Sequence, residues 1–247
     1  MEFAPPTAPP WLISGFVFLP MLVVLAVLIG VSVALRRAGV SRLAYWLVAL
    51  LLVGAMGGSL KLALDESLAK FDAAVAPFLP LTAACIATWV VIAASRVGRA
   101  VAALPIAVLI AFHAFRLPLE LMMHAAARAG VMPRQMSYSG WNFDIVTGVT
   151  ALLVAPLAAV GGVTRSALLA WNALGSALLL VIVVVAVVSS PPLLAFGAER
   201  ANTWVAYAPF VWLPTVLVPA AAAGHVVLWR RLLQQEDAVP AQPPAQA

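Results

Sequence analysis

Seven stretches of the chain are apolar almost without interruption, at 11–35, 43–64, 77–94, 101–126, 144–163, 167–188 and 203–229, and short polar connections separate them. Each holds 18 to 27 residues, enough helix to cross a hydrocarbon layer of roughly 30 Å. None shows the period-two alternation of a membrane barrel strand, and an isolated strand would leave its backbone groups unpaired in lipid. The pattern predicts an all-α, integral membrane seven-helix bundle over residues 1–235. The stretch 236–247 is rich in Pro, Ala and Gln; it cannot bury a core and is expected to be disordered.

Composition narrows the class further. Of the 247 residues 64% are hydrophobic and 9% charged, whereas a soluble domain carries roughly 25% charged residues. A water-soluble globule is excluded. The net charge of +5 would suggest nucleic acid as a partner of a soluble protein. Here the basic residues sit in the connections, so they report topology; the expected partner is the lipid bilayer, and no nucleic acid is expected. Arg36, Arg37, Arg42, Arg96, Arg99, Arg165, Arg230 and Arg231 fall on one side. Lys70, Arg128, Arg134 and Arg200 fall on the other, among Glu2, Asp65, Glu66, Asp72 and Glu199. Cytoplasmic loops hold the excess of Lys and Arg, which predicts an N-terminus outside and a C-terminus inside. Trp11, Trp141, Trp204 and Trp229 lie near predicted ends, at the depth that indole rings favour. The first run lacks a basic leader and a small-residue cleavage site and is expected to remain as a helix. A single cysteine, Cys85, lies within an apolar run and is expected to pack there.

The chemistry concentrates in the fourth run, where FHAFRLPLELMMH carries His113, Arg116, Glu120 and His124. Steps of three, four and four residues confine these side chains to a sector about 80° wide on one helix face. Ionisable groups at membrane depth are costly and turn toward the bundle interior or a wet cavity. Pro118 within the run removes an amide donor and is expected to kink the helix beside Arg116 and Glu120. Two readings of Arg116 and Glu120 stand side by side: an i,i+4 pair that fixes helix packing, and a ligand or proton site.

The connection that follows ends in Ser139-Gly-Trp-Asn-Phe-Asp144. With the topology above, Asn142 and Asp144 enter the fifth helix from the side on which Glu120 and His124 end theirs. Asp144 and Asn142 also suit a helix N-terminus as acid and cap. Lys61 and Asp65 end the second run on the same side and are secondary candidates, with His113. Glu120, His124 and Asp144 are the candidate metal ligands, and Met122, Met123, Met132 and Met136 near His124 raise copper(I) as an alternative. His225, near the inner end of the last run, is too far along its helix to complete a set with His124. No cofactor is readable.

A retinal protein needs a lysine in its last helix, and the last run has none. Metal-dependent membrane hydrolases of the alkaline ceramidase kind need paired histidines late in the chain, and His225 stands alone. FRLPLE at 115–120 followed by GWNFD at 140–144 resembles a group of bacterial polytopic membrane proteins with FRxPxE and GxNFD segments. The resemblance covers about thirty residues and brings no activity with it. It implies the bacterial inner membrane and makes these polar residues one feature.

The reading favoured by the sequence is a binding or transport-like protein in which Arg116, Glu120, His124, Asn142 and Asp144 form a buried, outward-facing pocket for a small ligand, ion or proton. A metal-dependent membrane enzyme, and a scaffold whose polar stripe recognises a membrane protein partner, are the alternatives.

Overall fold

The computed structural model describes residues 3–234; the expected C-terminal tail lies outside them. Helix makes up 72% of the structure and no strand occurs among the described residues. Backbone hydrogen bonds are therefore closed within segments, as a hydrocarbon interior demands. The helices are α1 Pro10–Arg37, α2 Arg42–Leu64, α3 Phe78–Ala94, α4 Arg96–Ala102, α5 Ile106–Phe112, α6 Arg116–Arg128, α7 Ile145–Ala159, α8 Arg165–Val188 and α9 Val218–Leu233.

Five helical stretches are long and apolar enough to cross a membrane: α1, α2, Ile106–Arg128, α8 and Leu213–Leu233. A sixth arises if α3 and α4 are taken together across their 66° bend. Each of the seven apolar runs contains helix, but not over the expected bounds: in the last run 203–211 is a 3-10 turn at Trp204–Ala206 followed by further turns, with the span starting at Leu213, and α7 has only 15 residues, about 22 Å at 1.5 Å per residue. The structure thus supports a multi-pass membrane protein with five to six candidate spans. Large apolar side chains cover the outside, among them Phe18, Leu22 and Leu25 on α1 and Trp46, Leu47 and Leu50 on α2. Such a surface suits lipid contact.

Local chemistry explains the breaks. Ser95 caps α4 by accepting from the Val97 amide, and a Cβ on Gly98 would lie 1.8 Å from the Ala93 carbonyl oxygen. Only glycine fits inside that bend. Arg230 donates to the carbonyls of Ala93 and Ser95 at 2.7 and 2.8 Å, closing the exposed end of α3. Pro214 and Pro219 flank or interrupt the five-residue π segment Leu213–Leu217 that leads into α9, a proline-bound loosening of the helix. Leu213–Leu233 is the most enclosed candidate span, with half of its apolar window buried, and it packs against α3, α4, α5 and α8. It forms the centre of the bundle.

At one end of the bundle Arg165 donates to the Leu232 carbonyl and Arg230 reaches the Ser95 carbonyl, so these two arginines tie the start of α8 and the α3–α4 bend to the end of α9. At the opposite end Phe3, Phe71 and Tyr207 pack together. Gln135 donates to the Ser189 hydroxyl and the Arg200 carbonyl, pinning the connection between α6 and α7 over the end of α8.

Candidate functional site

The fourth apolar run is one span with a change of pitch. Residues His113–Phe115 form a 3-10 turn between α5 and α6, one turn ahead of Pro118. Proline at that position has no amide to donate to the Ala114 carbonyl and its ring crowds it, which accounts for the tightening there. His113, Arg116 and Glu120 are buried at 0, 1 and 2% exposure. His124, near the end of the stripe, is half-exposed.

The fifth run meets this helix at a glycine. A Cβ on Gly148 would lie 2.4 Å from the Leu117 amide nitrogen, so α7 crosses α6 with backbone nearly on backbone. That approach brings Asp144, one turn earlier, onto Arg116. The Arg116 Nη1 donates to Asp144 Oδ1 at 2.8 Å, and both side chains are buried. Thr147 donates to the same carboxylate oxygen at 3.2 Å. The ion pair is thus made with Asp144 and not with Glu120, although Glu120 stands at i+4 on the same helix.

Glu120 has a different partner. Asn142 donates to Glu120 Oε2 at 2.7 Å and to the Met136 carbonyl at 3.1 Å. Its Oδ1 accepts from the Asp144 amide. Asn142 therefore serves as a hinge pin between α6, the connection and the entry to α7, and neither Asn142 nor Asp144 makes a side-chain cap on the first turn of α7.

Arg116, Glu120 and Asp144 line one wall of a cavity of about 70 Å³ between α3, α6, α8 and the π segment. The remaining walls are chiefly apolar, with Phe78, Leu119, Leu179 and Ile182 among them. Arg116 Nε and Nη2 are buried without a hydrogen-bond partner. A buried guanidinium with unmet donors is expensive. The same wall carries two carboxyl groups against one cation, so protonation of one carboxyl is enough to balance the charge.

The other expected residues lie elsewhere. His124 accepts from or donates to the Ser139 hydroxyl through Nδ1 at 2.9 Å and stacks on Tyr138 with centroids 4.2 Å apart. Lys61 and Asp65 pair with one another in the open, with 76% and 49% of their side-chain surfaces exposed, and neither lines the cavity. Among the described residues no group of three His, Cys, Asp and Glu side chains is placed to hold a metal ion. Met123, Met132 and Met136 lie in the apolar core, and the Met122 sulfur rests against Gly15.

One polar feature is absent from the sequence reading. His113 packs against His225 in a tilted pair, ring centroids 4.3 Å apart and planes at 34°, and His225 Nδ1 meets Asn172 Oδ1 at 2.7 Å. Asn172 also donates to the His225 carbonyl. Glycines make room: a Cβ on Gly175 would lie 2.7 Å from His225 Cε1, and one on Gly224 would lie 2.9 Å from His113 Cε1. The signal available in the sequence was the pairing of small and polar residues on the sixth and seventh runs, Asn172 with Gly175 and Gly224 with His225. Comparison of the chain with known protein families, curated proteins and solved structures finds no match.

Proposed function

We propose that the chain is a seven-crossing protein of a bacterial inner membrane, with its N-terminus outside and its C-terminus inside, that binds a small ligand, ion or proton at the Arg116, Glu120, Asn142 and Asp144 network. The clustering of Arg165 and Arg230 at one end of the bundle supports the orientation, because basic connections are retained in the cytoplasm. The crossing at Gly148 supports counting α7 as a span.

One observation carries the binding reading: Arg116 lines the cavity with two unmet donors while Glu120, on the same wall, lacks a cation of its own. A static packing network would pair both. In this reading Glu120 exchanges a proton or takes a cationic group, Arg116 donates to the ligand's oxygen atoms, and Asp144 holds the guanidinium in place. His124, paired with Ser139, lies outside this cavity and takes no part in the binding.

Infrared difference spectra of the reconstituted protein across a pH step test it. A protonated-carboxyl band that follows pH is expected in the wild type and in Asp65→Asn, and is lost in Glu120→Gln. An unchanged band in Glu120→Gln, with that variant folded, overturns the proton assignment.

A further inference from the structure

We propose that a second site, outside the buried network, binds a phosphate group in the open cavity formed by His124, Arg128, Arg134, Ser137 and Ser139. This cavity has a volume of about 500 Å³, within the range of small-molecule sites. Arg128 closes the last turn of α6 and Arg134 begins the 3-10 turn of the following connection. Both arginines line the cavity, and among the described residues the ion pairs are Lys61 with Asp65 and Arg116 with Asp144, so neither guanidinium is paired with a carboxylate. Two unneutralised guanidinium groups on one cavity are the arrangement that recognises a phosphate in bidentate fashion.

The surroundings favour an anion as well. A helix C-terminus would repel one through its free carbonyls, but here the carbonyls of Ala125, Ala126 and Ala127 accept from the amides of 129–132. Ser137 donates to the Arg134 carbonyl and accepts from the Ser139 amide, which fixes the loop that carries Arg134. Tyr138 and Ser139 hold the His124 ring by one face and by Nδ1. When the Ser139 hydroxyl donates to Nδ1, Nε2 carries the proton and is a donor with no partner among the described residues. The ligand class is therefore a phosphate or phosphomonoester, free or as a lipid headgroup. Asn142 ties the same connection to Glu120 through the Met136 carbonyl, yet the phosphate site does not depend on the proton assignment or on the orientation.

The test is calorimetric titration of inorganic phosphate into detergent-purified full chain, with chloride at equal ionic strength as the blank. Arg128→Gln/Arg134→Gln is the altered form, and both positions are exposed, so its melting temperature should match the wild type. Saturable phosphate binding, weakened about a hundredfold in the double variant, is expected, since each lost charge-assisted bond counts for about tenfold. A parallel arm compares nanodiscs of phosphatidylcholine alone with nanodiscs containing phosphatidic acid, reading retained lipid by native mass spectrometry. Selective retention of phosphatidic acid without binding of free phosphate identifies the headgroup as the source and supports the site. Absence of binding in both arms, or binding unchanged in the double variant, overturns it, and the infrared test on Glu120 stands or falls separately.

Discussion

Gly148 and Leu117 bring two helices together at the distance on which the buried ion pair depends. A Cβ at Gly148 would be 2.4 Å from the Leu117 nitrogen and 3.0 Å from the Arg116 carbonyl carbon, a clash with backbone that no rotamer change relieves. Gly148→Leu is expected to push α7 away and destabilise the protein by about 1–3 kcal/mol or more, the cost of overpacking. Gly54→Leu, where nothing lies within 4 Å, is the control. Thermal unfolding in detergent should show a fall of several degrees for the first and little change for the second. Equal melting temperatures would remove the close crossing as the positioning device.

The Arg116 and Asp144 pair should behave as a buried pair does. Removing one partner leaves an uncompensated charge and costs about 3–5 kcal/mol, whereas replacing both by apolar residues of similar volume is often neutral. Asp144→Leu is therefore expected to be strongly destabilised, and Arg116→Met/Asp144→Leu to recover much of the loss. A double-mutant cycle in melting temperature measures the coupling. If the double variant is stable and still shows the pH-dependent carboxyl band of Glu120, the pair positions helices and the proton chemistry lies with Glu120 alone.

The all-helical, multi-pass character and the polar face of the fourth run were legible because hydropathy and the 3.6-residue period are local properties, whereas the structure holds five to six candidate spans where the sequence suggested seven. The choice of partner for Arg116 was not legible. Glu120 at i+4 and Asp144 on the next helix are both within a guanidinium's reach, and the decision rests on the depth of the crossing at Gly148. The junction of His113 with His225 was only hinted at, by the small residues beside Asn172 and His225, because helix adjacency across more than a hundred residues has no local signature that names the partner. Lys61 and Asp65 show the opposite case, where proximity in sequence to the outer side suggested a place in the site and the helix rotation turned both outward.

Asn172 clamps His225 by two bonds, from its Nδ2 to the carbonyl and from its Oδ1 to the ring. Asn172→Val keeps the approximate size and removes both, leaving His225 Nδ1 buried and unpaired. A loss of about 1–3 kcal/mol is expected for such an orphaned group, read as a lower melting temperature. Asn172→Val/His225→Leu, which removes the imidazole together with its partner, should recover part of it. A single variant as stable as wild type would show that the ring finds another partner in place.

Topology decides on which face of the membrane the phosphate cavity opens, and one native cysteine makes it readable. Cys85 is buried in α3, so Cys85→Ala supplies a background free of thiols. Ser139 lies in the connection beside the phosphate cavity and Ser166 begins α8, and both are exposed. In intact expressing cells Ser139→Cys is expected to react with a membrane-impermeant maleimide, and Ser166→Cys to react only after the membrane is opened. The two positions flank α7, so labelling on opposite faces also requires that this 15-residue helix cross the membrane. At about 22 Å it would do so with local thinning of the bilayer or with its flanking residues included, a mismatch of modest cost. Labelling of both positions from the same face would make α7 a re-entrant segment, reduce the count to six, and reverse the placement of everything that follows it.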